Sequence, residues 1–578
     1  MGYVIPAGGR EDLRPDEVKA WAAEHMVEYM VPAHIVVLEE FPLTANGKLD
    51  RGALPEPTRV TGVIVRPTTD DERAVCAAVA AVLRLEEVGV DQDFFQLGGD
   101  SILAVSLLST LREAGLHVTA RQIFTHPTVG ALAAVASRED LSVVDHRDIA
   151  TGPVVGAPIV QWLGETTDAI DGFVQSVVLN TPAELTADAL DTILTAVVRQ
   201  HPMLRARLVR GDRWGFDIPD ADEAVAPWQE SERPLDECVT LATEGLDPDG
   251  GVMLRAVWRR TARQLVLVAH HVVIDGVSWR ILMDDLATAW RQLASAAPVE
   301  LPPVGTSFRR WTQLLERAAF DADSTYYRRP LPGEDRPLGR RPLSAADTVA
   351  RERLRTVSVG PEVTAELLGG TPAAFHAGVN DVLLTGLAVA LARWRRGLGQ
   401  DQTFAYIELE GHGREPRFVA GSAGFEPELS RTVGWFTTLA PVVVDPGAAT
   451  DFTAPAYLTA ALKKVKEDLA RVPDNGVSYG ALRHLTGTGF DAPAPQVLFN
   501  YLGRFEAGSS EYWQLAHKTG QLGERRDPRM RLPRPWSSTP SPNPPAMAPT
   551  NWSPPSPGPT ACSPTTTSRL SPATSGRP

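Results

Sequence analysis

Cysteine is scarce. The 578 residues hold three, Cys76, Cys238 and Cys562, far apart and without metal-ligand spacing. That excludes a disulfide framework and a cysteine-built zinc site, and it fits a reducing, cytoplasmic setting. Long apolar runs are missing too. No stretch reaches the roughly 20 apolar residues of a bilayer-spanning helix, and the N-terminus lacks the basic-then-apolar start of an export signal, so no membrane partner is expected. Positive charge is in deficit: the formal charge is -15 and the pI about 5.4, which argues against nucleic acid or an anionic membrane as the main partner. Dinucleotide and P-loop glycine signatures are also absent. What is present is ordinary globular composition, 43% hydrophobic and 22% charged, in a chain too long for one core, so about three to four domains are expected.

The chain is organised around residues 265–282, LVLVAHHVVIDGVSWRIL. An apolar run without helical spacing predicts a buried strand, and Gly276 predicts a turn at its exit. His270 and His271 then stand at a strand end, where successive side chains point to opposite faces, so only one of them can face a given cavity. The same alternation disfavours a tetrahedral metal site built from His270, His271 and Asp275, and no metal is expected. Asp275 is expected to fix the turn by ion pairing.

Further along, TFAYIELEGHGRE puts Glu410, His412, Arg414 and Glu415 at the end of a strand. RTVGWFTTLAPV and QVLFNYLGRF, the latter with Asn500 and Tyr501, read as further strands. Taken singly, Glu410 and Arg414 could be a surface ion pair and Asn500 a satisfied polar group. Strands alternate with helices across residues 151–522, which predicts an α/β unit of two related lobes, about 151–330 and 350–522, with a cleft between them.

Upstream, residues 1–58 contain a strand, a turn at Asn46-Gly47 and Lys48 beside it. After a proline-marked linker, residues 70–84 have acids first and apolar positions at helical spacing, which predicts a helix. In DQDFFQLGGDSILAVSLL, Ser101 directly precedes an apolar helix, where capping by Asp100 or Ser101 would be the ordinary reading. Residues 523–578 are rich in Pro, Ser, Thr and Arg. From 525 onward they hold 15 of the 48 prolines, and seven arginines against one acid, Asp527. Such a stretch buries too little apolar surface to order itself, so a disordered tail is expected. Its abrupt onset reads like translation in a wrong frame past about codon 520. A family-like continuation in another frame of the nucleotide sequence is what that expectation requires.

The strings together resemble one family. PLTANGKLDR is similar to the last core motif of the adenylation domains of nonribosomal peptide synthetases, which implies that Lys48 contacts the carboxylate and phosphate of an acyl-adenylate. Only the end of that domain is represented, so these residues alone are not expected to adenylate anything. DxFFxLGGDSI with FTHPTVGALA resembles the carrier domains of the same synthetases over residues 66–138. The resemblance implies a four-helix bundle in which Ser101 receives 4′-phosphopantetheine from a phosphopantetheinyl transferase. Residues 151–522 resemble the condensation-like superfamily, with its two-lobed, chloramphenicol-acetyltransferase-like α/β fold, and within it the epimerisation domains. Val277-Ser278-Trp279 after the DG, EGHGRE and the pair RTVGWFT and FNYLGRF favour epimerisation over peptide-bond formation.

The fold class that follows is multidomain, α/β and α, opening with a small α+β remnant. The implied substrate is an aminoacyl or peptidyl thioester on the carrier, and the implied partners are other synthetase modules or subunits. By the resemblance His271 and Glu410 are the proton-transfer pair, with His270, Asp275, Gly276, Arg414, Asn500 and Tyr501 in support. Two readings stay open beside it: a non-catalytic carrier and docking fragment, and a condensation domain.

Overall fold

The computed structural model describes residues 2–5, 18, 35–38, 41, 65–83, 85–95, 97, 99, 101–138, 148–223, 227–375, 377–503, 512–516, 523–541 and 565–570. Lys48 lies outside them. Two compact units result, Met1–Arg66 with Gly89–Asp91, and Pro67–Val88 with Gln92–Pro578. In the first, β1 (Gly2–Val4) pairs in parallel with β2 (Ile35–Val37).

The second unit begins with four helices: α1 (Asp70–Leu83), α2 (Ser101–Glu113), α3 (Ala120–Thr125) and α4 (Val129–Val135). Helix α1 opens with three acids against its positive end. A reciprocal cap starts it: Thr69 Oγ1 accepts the Glu72 amide while Glu72 Oε2 accepts the Thr69 amide. Its inner stripe, Val75, Cys76, Ala78 and Val79, packs with Leu107 and Leu111 of α2 and Leu132 of α4 as the buried core of the bundle.

Next, a three-stranded antiparallel sheet joins β3 (Gly152–Val155), β6 (Gly215–Ile218) and β5 (Arg207–Val209). The central sheet of the first lobe has the order β14-β4-β9-β8-β7, from β4 (Val174–Asn180), β7 (Trp228–Glu230), β8 (Leu254–Arg259), β9 (Gln264–His270) and β14 (Gly523–Arg525). Strand β9 is apolar from Leu265 to Ala269 because both of its faces are covered there. Leu265, Leu267 and Ala269 pack with α6 (Ala187–Gln200) and α8 (Gly276–Ala294). Val266 and Val268 pack on the other side with α7 (Leu235–Glu244). Helix α5 (Pro158–Thr166) and α9 (Phe308–Asp321) complete this half.

The second sheet has the order β10-β16-β15-β13-β11-β12, from β10 (Arg353–Ser358), β11 (Ala405–Gly411), β12 (Thr438–Val444), β13 (Val497–Phe499), β15 (Trp536–Ser541) and β16 (Thr565–Leu570). It packs against α10 (Val379–Gly397) and α12 (Pro455–Ala470) through Leu384, Ala388, Ile407, Val442, Val465 and Phe499. Helix α11 (Pro416–Ala423) turns away and packs on α9. Val419, Trp435, Phe436 and Val477 thus join Val272, Val273 and Trp311 in one core, so the two expected lobes share a hydrophobic centre along the cleft.

Residues 523–541 differ from the disorder expected of them. Strand β14 pairs with β4, Glu524 opposite Gln175, and β15 pairs in parallel with β13. Backbone ladders and ion pairs supply what the composition lacks in apolar surface. Arg529 bonds Asp527 at 2.7 Å and Asp171 at 3.1 Å, and Arg534 pairs with the buried Glu408.

Candidate active site

Strand β9 ends at His270, and His271 opens a single 3-10 turn, His271–Val273, before the loop to α8. The two rings diverge for that reason, not through strand alternation alone. His270 is fully buried; its Nε2 lies 2.9 Å from the Ile170 carbonyl, and its Nδ1 accepts the Val272 amide at 3.4 Å. Both nitrogens are used, and burial pushes the ring down to about 4.

His271 is stacked on Phe173, centroids 4.6 Å apart and planes 12° apart, with Trp435 at 4.8 Å on the ring. Burial lowers its pKa against the opposing pull of Glu524, so the ring is neutral near pH 7. Its Nε2 sits 2.8 Å from Gln175 Nε2. Gln175 Oε1 in turn accepts the Trp279 indole N–H at 3.0 Å.

Asp275 caps α8. Its Oδ1 accepts the Ser278 amide at 2.7 Å and the Ser278 hydroxyl at 2.8 Å. Arg414 Nη2 donates to both carboxylate oxygens at 3.0 and 3.2 Å, and the Phe436 amide donates to Oδ2 at 3.2 Å. Arg414 is 5% exposed, lies 3.8 Å over the Phe436 ring, and donates through Nη1 to the Leu429 and Thr432 carbonyls. Gly413 makes this approach possible. Its φ is +67°, and a Cβ there would stand 1.7 Å from the Phe436 carbonyl oxygen. Arg414 therefore binds across to Asp275 and behind the cleft wall, while Glu410, on β11, faces the cleft.

A cavity of about 580 Å³ gathers these parts. His271, Asp275 and Gly276 line it from the first lobe; Glu410, Asn500 and Tyr501 line it from the second. His270 and Arg414 stand behind its walls. Phe95, Gly99 and Pro127 of the helical bundle line it too, and Arg112 on α2 reaches Glu428 at 3.4 Å and Ser430 Oγ at 3.3 Å. Ser101 begins α2 beside that rim, at a helix N-terminus that suits a phosphodiester. Gly99 cannot carry a side chain, since a Cβ would meet the Phe94 ring at 2.4 Å. Gly99, two residues before Ser101, lines a cavity that runs to His271, which fits a phosphopantetheine group attached at this end of α2.

Gln175 and Glu524 also line the cavity, and the sequence alone does not single them out. Gln175 sits in an apolar run on β4, a signal visible as a polar break in VQSVVL. Glu524 lies in the segment whose composition predicts disorder.

Residues 161–522 match the Condensation domain family. The chain belongs to the condensation domain family. Within this condensation-family chain, residues 73–136 match the phosphopantetheine attachment site, which carries the group covalently, and residues 1–48 match the AMP-binding enzyme C-terminal domain. That series is the arrangement of a nonribosomal peptide synthetase.

Chondramide synthase cmdD of Chondromyces crocatus is 36% identical over 546 residues, 89% of this chain and 13% of that protein. Surfactin synthase subunit 2 of Bacillus subtilis is 33% identical over 535 residues, 87% of this chain and 14% of that protein. The chain thus spans about an eighth of the length of such relatives. Among solved structures, the epimerization domain from the third module of tyrocidine synthetase B superposes with a TM-score of 0.60 at 22% identity, over 74% of this chain and 93% of that one. The condensation domain from the Monacolin K polyketide synthase MokA gives 0.50 at 18% identity, over 73% and 92%. Both likenesses are of fold, the two-lobed α/β fold of the family. Among the described residues no single helix is long and apolar enough to cross a membrane.

Proposed function

We propose that this condensation-family chain epimerises the α-carbon of an aminoacyl or peptidyl group held as a thioester on the phosphopantetheine of Ser101. The observation that carries the reading is one cavity with His271 on one wall, Glu410 on the other and the carrier loop at its rim. A thioester leaves the α-proton acidic enough for protein bases. Inversion needs a proton removed from one face and another delivered to the opposite face, and two groups on opposing walls do this without moving the substrate. In each direction one of His271 and Glu410 takes the proton and the other gives one. His271 suits the base role because burial and the Phe173 stack keep it neutral. Asn500 and Tyr501 present polar atoms to the same space and can stabilise charge that develops on the carbonyl oxygen. Asp275 and Arg414 hold the wall in place. Val277-Ser278-Trp279 after the DG and the EGHGRE string support epimerisation over condensation.

The test begins by converting Ser101 to its phosphopantetheinyl form with a phosphopantetheinyl transferase and loading an aminoacyl group. Deuterium uptake at the α-carbon from heavy water is then followed by mass spectrometry. Uptake is expected in the parent chain and a fall of about 10²–10⁴-fold in His271→Ala and in Glu410→Gln. No uptake in the parent would leave a carrier and docking fragment, and amide formation with an added amine acceptor would make the domain a condensation catalyst.

A further inference from the structure

We propose that Gln175 and Trp279 are positioning residues that lock His271 in one neutral tautomer, with the proton on Nδ1 and the lone pair on Nε2. The indole N–H of Trp279 can only donate. It therefore fixes which end of the Gln175 amide it meets: Oε1, at 3.0 Å. The amide nitrogen is then left facing His271 Nε2 at 2.8 Å, and because it too can only donate, Nε2 accepts. A neutral imidazole carries one proton, so that proton is on Nδ1.

The lock is stiff because all three side chains are buried, Trp279 completely. A proton arriving on Nε2 would face the amide N–H, two donors against each other. Turning the amide to relieve that conflict would aim its NH₂ at the indole N–H. Nδ1 of His271 is itself buried with no hydrogen-bond partner of ordinary geometry, so either mismatch would add a second unpaired buried donor beside it.

Other groups around the ring pull the opposite way or are neutral. Glu524 on β14 and Asp275 in the turn after β9 favour the imidazolium; His270 behind is neutral. Glu410 and His412 across the cavity, Asp93 of the helical bundle and Arg280 on α8 also face this space. Without the donor on Gln175, the carboxylates of Glu524 and Asp275 would draw a proton onto the ring. The lock thus holds His271 neutral, and Nε2 can take a proton only as the Gln175 amide swings away from it. This consequence for turnover rests on the reading of His271 as a proton-transfer group, whereas the tautomer itself does not.

Two measurements separate them. In full-length protein with ring-¹⁵N histidine, the His271 signals, assigned by their loss in His271→Ala, are expected to show Nδ1 protonated and Nε2 bare at pH 7. Gln175→Glu replaces the donor with an acceptor of the same shape, and Trp279→Phe removes only the anchor. Both are expected to raise the pH at which His271 protonates by roughly one unit or more, and to move the acid limb of α-deuterium uptake upward by the same amount. Should Trp279→Phe fail to fold, Gln175→Glu alone decides. A parent ring protonated on Nε2, or a His271 titration unmoved in the folded variants, would overturn the proposal. Absence of uptake in a parent that shows the expected tautomer would instead sink the epimerisation reading and leave the lock standing.

Discussion

His270 and His271 are neighbours in the chain with opposite fates, set by what each nitrogen meets. His270 has its two nitrogens on backbone partners, so it braces the strand end, and its burial has a thermodynamic consequence. Its folded pKa, about 4, lies below the ordinary 6.5. The unfolded chain therefore binds a proton below pH 6.5 that the folded chain refuses. Stability from this group is complete above pH 6.5 and is lost as the pH falls toward 4, by about 3 kcal/mol. The urea midpoint is expected to drop across that window, and less so in a folded His270→Gln variant. Asp275 is the other residue whose burial has a measurable consequence. Asp275→Asn keeps the shape but sets an amide against the donors of Arg414, Ser278 and Phe436, and a loss of about 3–5 kcal/mol is expected in chemical denaturation. A loss below about 1 kcal/mol would mean that Arg414 finds other acceptors.

At the scale of elements, the strand ending at His270 and the turn at Asp275-Gly276 are plain in the sequence because the apolar run and the Asp-Gly agree. The strand ending at Gly411 and the short one ending at Phe499 are equally plain. What the sequence does not disclose is which distant side chains meet. Spacing offers Arg414 as a partner of Glu410, four residues away, yet it binds Asp275, 139 residues away. Nothing local signals that choice; it follows from the turn at Gly413 and the shared core beneath. Nor does a polar residue inside VQSVVL announce that it meets a histidine just past the end of the neighbouring strand.

The carrier bundle and the second lobe touch through Arg112 and Glu428, both about a quarter exposed. A partly exposed pair of this kind contributes about 0.2–1 kcal/mol. Arg112→Glu or Glu428→Arg is accordingly expected to slow α-deuterium uptake only a few-fold at low salt. The double reversal should recover part of the loss, and equal rates in all four proteins would remove this pair from docking.

For the whole molecule, the chain closes the cleft by passing from the second sheet back to the first. Residues 512–516 run along the end of β4, with the Trp513 amide on Asn180 and the Ala516 amide on Val178. Strand β14 then covers the rest of that edge and brings Glu524 opposite Gln175. Composition predicts disorder here because proline and arginine bury little apolar area. Ladder hydrogen bonds and buried ion pairs do not depend on that area, which is why composition misses them. A chain cut after residue 522 would leave β4 as an open edge. It would also lose Met530 from the shared core and strand the carboxylate of Glu408, which is 4% exposed, without Arg534. An uncompensated buried charge alone costs about 3–5 kcal/mol. The shorter chain is therefore expected to unfold at clearly lower denaturant and to aggregate. Arg534→Ala in the full chain isolates the Glu408 contribution: if it matches the parent while the cut at 522 does not, the edge and the core, and not the ion pair, hold the two lobes closed around His271 and Glu410.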